Sequence, residues 1–285
     1  MTTESPERAG VQTQEFAGRT AVVSGGASGI GAAVTRILLE GGARVAVLDY
    51  AEDNLASFAA SVPQHGDMLT THRVDVSDAT AVDSAVTAFA EFAGRIDIVI
   101  ANAGIGGIGG VAEIADDGWR AVHAVVLDGV FHLCRAALPH LAVNGGSIVT
   151  TSSISGLAGD RRMAAYASAK GAVINLTRSM AVDYGRRGIR VNSVAPGPVA
   201  TPILTPALDV DESLRQTYAQ RIPQGRIAQP DEVAQAICFL ASERASFING
   251  VILPVDGGLT AWTAQPDLIA GRGAPEQFIA PMGGA

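Results

Sequence analysis

Short runs of aliphatic and β-branched residues alternate along this chain with longer stretches in which apolar side chains return every three or four positions. The short runs fall at 20–24, 44–49, 69–74, 96–101, 147–151, 190–195 and 251–255. Several are apolar almost throughout, as strands buried on both faces are. The longer stretches, at 29–41, 52–61, 79–93, 117–142, 165–185 and 230–241, have helical period and length. Strand and helix in alternation predict an α/β fold, a doubly wound, mostly or fully parallel seven-stranded sheet with helices on both faces.

No linker or second core interrupts the pattern, so one domain is expected over 17–262. It is flanked by a mobile extension over 1–16 and a Pro- and Gly-bearing tail over 263–285, which would pack on a neighbouring subunit. The segment 203–222 mixes apolar with polar residues between Pro202, Pro206 and Pro223. Composition narrows the possible partners. Of 285 residues 48% are hydrophobic and 17% charged, and the net charge is −8. An acidic surface excludes nucleic acid as the main partner, since phosphate binding needs clustered Lys and Arg. No run of about 18 apolar residues points to a membrane span, and the first residues carry no apolar leader, so a cytoplasmic protein is expected. Cys134 and Cys238 sit in apolar helical patterns and read as buried thiols. No Cys/His cluster has metal-ligand spacing, so no metal is expected.

Two regions carry chemistry. The first strand runs into Ser24-Gly25-Gly26-Ala27-Ser28-Gly29-Ile30-Gly31, and a helix follows. Glycines let the backbone turn and approach a pyrophosphate, and the helix start offers free N–H groups and the positive end of its dipole. The spacing is GxxxGxG. Asp49, about 20 residues on, stands where a carboxylate receives ribose hydroxyls and repels a 2′-phosphate. It would also suit a helix N-cap, which does not conflict. Ser28 and Tyr50 add no positive charge, so NAD is favoured over NADP. Asp75-Val76 and Asn102-Ala103-Gly104 follow the third and fourth strands. Asp75 would meet the adenine amino group, and the small residues after Asn102 would let backbone lie against the cofactor ribose.

The second region is Tyr166-Ala167-Ser168-Ala169-Lys170, with Ser153 upstream. Residues four apart share a helix face. An ammonium beside a phenol favours the phenolate and lowers its pKa, and a hydroxyl from another element would hold a substrate oxygen there. This is an acid/base site for an alcohol or a carbonyl.

Together these motifs, with Pro196-Gly197 and Asp256-Gly257-Gly258, resemble those of the short-chain dehydrogenase/reductases, single-domain proteins of the Rossmann type. The resemblance spans about 17–260. It implies Tyr166 as general acid and base, Lys170 on the nicotinamide ribose, and Ser153 on the reacting oxygen. Pro196 and Gly197 would wall the nicotinamide pocket, and Val199 and Thr201 would meet its carboxamide. Asp75 and Val76 would bracket adenine, and Asn102 would line the nucleotide path. A homotetramer or homodimer is implied, as is a lid at 203–222 in which Leu204, Leu208 and Leu214 would touch substrate. Two positions depart from the family pattern: Ala101 replaces the first Asn of Asn-Asn-Ala-Gly, and Val126 replaces a helix Asn that would help hold a water near the lysine.

The expected activity is hydride transfer between NAD(H) and a secondary alcohol or ketone. A lid without obvious charge points to a neutral, apolar or cyclic substrate, steroid-like ones included. The alternatives are a 3-oxoacyl-thioester reductase of the same family and a dinucleotide-binding sensor without catalysis. Trp119 and Phe131 read as core rather than substrate contacts, Arg161 and Arg162 as a solvated loop at the pocket mouth with contact to an anionic substrate as the alternative, and His65, His72, His132 and His140 as structural or surface residues.

Overall fold

The computed structural model describes residues 14–141, 143 and 145–263. In chain order it runs β1 (Thr20–Ser24), α1 (Gly29–Glu40), β2 (Arg44–Asp49), α2 (Glu52–Ser61), β3 (Leu69–Arg73), α3 (Ala79–Ala93) and β4 (Ile98–Ala101). A long loop then leads to α4 (Asp116–His123), a π turn (Ala124–Asp128) and α5 (Gly129–Leu141). The second half holds β5 (Gly146–Thr151), α6 (Ile154–Leu157), α7 (Ala164–Tyr184), β6 (Ile189–Pro196), α8 (Thr205–Val210), α9 (Glu212–Arg221), α10 (Pro230–Ala241) and β7 (Ile252–Val255). The seven strands form one sheet in the order β3-β2-β1-β4-β5-β6-β7. Every pairing is parallel, from β1 with β2 and β4 out to β6 with β7.

The strand period divides the core in two. Ala21, Val23, Val45, Val47, Ile98 and Ile100 face α1, α2 and α10. Their neighbours Val22, Ala46, Leu48, Val99 and Ala101 face α3, α5 and α7. Both faces are dry, so the central strands need apolar residues at every position. Each Val, Leu or Ile side chain so buried contributes about 1.5–3 kcal/mol before chain entropy is set against it.

Local signals set the ends of several elements. Asp78 accepts from the N–H groups of Thr80 and Ala81 and starts α3, and left-handed Gly94 ends it. β4 begins two residues later than its apolar pattern, because Asp97 is used as an anchor. Its carboxylate, 1% exposed, accepts from Thr20 N at 2.9 Å and Arg95 Nε at 3.0 Å. At the same edge of the sheet Arg190 donates to the carbonyls of Leu240 at 2.8 Å and Ser242 at 2.9 Å, closing the end of α10.

Four expectations need correction. The helix expected at 117–142 is broken by the π turn, which shifts the ladder so that Gly129 N–H donates to the Ala124 carbonyl. The lid, which lies outside the expected helical stretches, carries α8 and α9. The extension expected to reach residue 16 gives Phe16 to the core beside α1, while residues 1–13 and 264–285 lie outside the described residues. Trp119 and Phe131 are not core: they are 39% and 44% exposed. By length and composition alone Asp116–Leu141 is apolar enough to cross a membrane, yet this stretch packs against α3 and α7.

Candidate active site

The strand order reverses between β1 and β4, and open parallel sheets bind ligands at the crevice beyond such a point. Ser24 ends β1 and Asn102 follows β4 there. The Ser24 hydroxyl accepts from the N–H groups of Asn102 at 3.1 Å and Ala103 at 3.2 Å. Asn102 Nδ2 donates to the Gly25 carbonyl at 3.2 Å, and its Oδ1 accepts from the Thr151 hydroxyl at 3.2 Å. One amide thus ties three strand ends together, so Asn102 builds the crevice as well as lining it.

The glycine-rich loop turns back hard on itself. A Cβ on Gly31 would stand 1.9 Å from the Gly25 carbonyl oxygen, so only glycine fits. Ser28 caps α1 without spending its hydroxyl on the helix. Asp49 is buried against the back of the loop, where Oδ2 accepts from Ala27 N at 3.2 Å and Oδ1 from Ala51 N at 3.1 Å. Ala51, not Asp49, is the N-cap residue of α2.

On the other side of the crevice, Ser153 caps α6 and accepts from Ser155 N at 3.1 Å. α6 lies so close to α7 that a Cβ on Gly156 would stand 2.7 Å from the Lys170 carbonyl carbon. This contact brings Ser153 to the face of α7 that carries Tyr166 and Lys170. Lys170 is buried; its Nζ donates to the Thr151 carbonyl at 2.7 Å and lies 5.6 Å from the centre of the Tyr166 ring. Burial lowers the ammonium from its ordinary pKa to about 8. The expected depression of the Tyr166 pKa is not what the surroundings produce. Burial raises it, the Ser153 hydroxyl opposes the rise, and the Asp160 carboxylate adds to it. Taking the phenol out of water outweighs its favourable neighbours.

Loop and trio open into one cavity of about 720 Å³. Gly25, Ser28, Gly29, Ile30, Asn102, Ala103 and Gly104 line one part, Ser153, Tyr166 and Lys170 another, and Pro196, Gly197, Val199 and Thr201 a third. Gly31, Asp49, Tyr50, Asp75 and Val76 do not line it. Tyr50 is exposed, and Asp75 accepts from Ser77 N at 2.9 Å and the Ser77 hydroxyl at 2.7 Å. Val76 packs in the core, with its carbonyl accepting from His132 Nδ1 at 2.9 Å.

Among the lid leucines, Leu204 and Leu214 reach the cavity, whereas Leu208 is buried elsewhere. The lid is not without charge, since Arg221 lines the cavity together with Asp160 and Arg161 of the loop before α7. Leu214, Thr217, Tyr218 and Arg221 all face it, at the i, i+3, i+4 and i+7 spacing of one helix face. That periodicity was the available signal. The family's helix Asn is replaced by fully buried Val126, which packs with Ala165 and Ala169 of α7.

A tight glycine turn before a helix start, with a buried lysine and phenol across the same crevice, fits a nicotinamide dinucleotide and defines the class: an oxidoreductase that depends on one. A family model described as enoyl-(acyl carrier protein) reductase matches residues 25–260. Meso-2,3-butanediol dehydrogenase of Serratia marcescens is 43% identical over 254 residues, covering 89% of this chain and 99% of that one. Cis-4-hydroxycyclohexanecarboxylate dehydrogenase of Sinomonas cyclohexanicum is 45% identical over 250 residues, covering 87% and 99%. The crystal structure of levodione reductase superposes with a TM-score of 0.81 at 34% identity, covering 86% of this chain and 99% of that one. The chain belongs to the short-chain dehydrogenase/reductase family.

Proposed function

We propose that this protein moves a hydride between NAD(H) and a secondary alcohol or its ketone, with Tyr166 as the acid/base group. The observation that carries the reading is the shared cavity of Ser153, Tyr166, Lys170 and the glycine-rich loop. The relatives that act on a diol and on a cyclic hydroxy acid support it.

When bound, the nicotinamide supplies the hydride donor or acceptor. The chain's own residues hold the oxygen and move the proton. The Ser153 hydroxyl donates to the reacting oxygen and offsets the charge that develops on it. Tyr166 gives its proton to that oxygen in reduction and takes it back in oxidation. Burial keeps the phenol protonated at neutral pH, which favours reduction there and oxidation at alkaline pH. Lys170, still mostly charged at pH 7 with a pKa of about 8, would stabilise the phenolate and hold the ribose hydroxyls. Ser28, Gly29 and Ile30 would receive the pyrophosphate at the start of α1.

NAD is preferred over NADP in this reading because the Asp49 carboxylate stands behind the loop and no Arg or Lys lies in it. Asp75 and Val76 would flank adenine, and Val199 and Thr201 the carboxamide. The enzyme is read as a cytoplasmic homotetramer or homodimer, supported by the exposed aromatic rings on α4 and α5. Initial rates on a panel of secondary alcohols and ketones with NAD(H) and NADP(H) test the reading. Tyr166→Phe should reduce turnover by at least about 1000-fold and leave NADH binding within about 2-fold. Full activity in that variant, or faster rates with the phosphorylated cofactor, would refute the corresponding part.

A further inference from the structure

Apolar side chains line much of the cavity, and its exposed charged residues stand at the mouth. Ile154, Met163, Leu204, Leu214 and Leu259 give the apolar surface. Apart from Lys170, the charged residues in the lining are Asp160, Arg161 and Arg221. The arginines around them are paired. Arg162 meets Glu113 at 3.1 Å, Arg215 meets Asp209 and Glu212 at 3.6 Å, and Arg226 meets Glu232 at 2.6 Å. Among the described residues Arg161 and Arg221 have no ion pair. Asp160 carries one charge against two and, among the described residues, forms no ion pair with either; its oxygens accept from the Ser155 hydroxyl at 3.1 Å and from Arg161 N at 2.9 Å. Two cations against one anion leave the rim with a net charge of +1, on a protein whose total is −8. Free guanidinium forks at the mouth of an apolar cavity, in an otherwise acidic molecule, are a receptor for an anion.

We propose that the substrate is a hydroxy acid or keto acid whose apolar body lies against the apolar lining and whose carboxylate is held at the rim by Arg221 of α9 and by Arg161. The inference rests on the oxidoreductase reading of the site. It narrows the secondary alcohol or ketone of that reading to one that carries a carboxylate. A net rim charge of +1 matches a monoanionic carboxylate better than a dianionic phosphate. Because α9 belongs to the lid, an anion on Arg221 would also draw the lid down over the reacting carbon, joining recognition to closure.

The test compares two probes of similar shape, 4-hydroxycyclohexanecarboxylate and 4-methylcyclohexanol, by the ratio of their kcat/KM values. A ratio taken within one enzyme does not depend on the fraction folded. The unsubstituted enzyme should favour the acid at least about 10-fold. Charge-assisted hydrogen bonds are worth about 1.5–3 kcal/mol, so Arg221→Gln should lower the ratio by about 10- to 150-fold, through KM for the acid. Arg221→Lys should keep part of the preference, and Arg161→Gln should lose less than Arg221→Gln. No preference in the unsubstituted enzyme, or an unchanged ratio in Arg221→Gln, overturns the inference and leaves the oxidoreductase reading standing. A rise in KM for NADH that accounts for the loss also overturns it, by assigning the arginine to the cofactor. Failure to turn over either alcohol, or any other secondary alcohol or ketone, overturns the reading of the site itself.

Discussion

Replacing Lys170 by methionine should make the folded protein more stable while removing its activity. The ammonium is buried, and among the described residues its one hydrogen bond goes to the Thr151 carbonyl, at 2.7 Å. Its pKa falls from an ordinary 10.5 to about 8 because burial disfavours the charged form. At 1.36 kcal/mol for each pH unit, holding it charged at pH 7 costs the fold about 3 kcal/mol. Methionine is unbranched and fills a similar space without charge. Against the gain stands the Thr151 carbonyl, which loses its donor at about 1–2 kcal/mol. The net expectation at pH 7 is a stabilisation of about 1–2 kcal/mol. The sign follows from the direction of the shift. A base whose pKa is lowered on folding destabilises the fold fully below its folded value. That penalty fades as pH rises from about 8 and is gone above 10.5. The variant's advantage should therefore be greatest near pH 7 and shrink by pH 10. Urea unfolding of both proteins at each pH measures this, and other titrating groups cancel in the difference. A variant less stable than the parent at pH 7, or an advantage that does not shrink with pH, would refute the argument.

Two further outcomes follow from the geometry of the site. Gly31→Ala places a Cβ 1.9 Å from the Gly25 carbonyl oxygen, so the loop must open by about an ångström and lose at least one N–H bond to the pyrophosphate. NADH affinity, read by fluorescence titration, should fall about 10- to 100-fold, and unchanged affinity would disprove the close-return account of this loop. Asp160→Asn removes a negative charge that helps raise the Tyr166 pKa. The alkaline rise of the oxidation rate should then move to lower pH, with Lys170 as the remaining charge beside the phenol. A profile that stays in place or moves to higher pH contradicts that role.

The sheet was legible because its central strands are buried on both faces, which leaves unbroken aliphatic runs such as Ala21–Val23 and Ile98–Ala101 in the sequence. Asn102, Ser153, Tyr166 and Lys170 were legible because their spacing from strand ends and along one helix is rigid. The π turn was not, since one extra residue in a helical ladder barely disturbs the recurrence of Val122, Val126 and Val130. The lid helices are not legible because α9 is polar on most of its surface, with Leu214, Thr217, Tyr218 and Arg221 facing the cavity. Trp119 and Phe131 depart from expectation because size and aromaticity favour burial, yet both keep a large exposed surface. The direction of the Tyr166 shift depends on how much water reaches the phenol, which sequence spacing does not encode.

Chemistry is gathered at the carboxyl edge of the sheet, whereas Asp97 and Arg190 fasten strand and helix ends at the amino edge, a full strand length away. Changes at the fastened edge can alter how long the molecule survives without altering what it transforms. Changes in α9 can retune selectivity without loosening the sheet. A lineage built on this plan can therefore explore new substrates and new temperatures as separate problems, and a laboratory redesign can follow the same division.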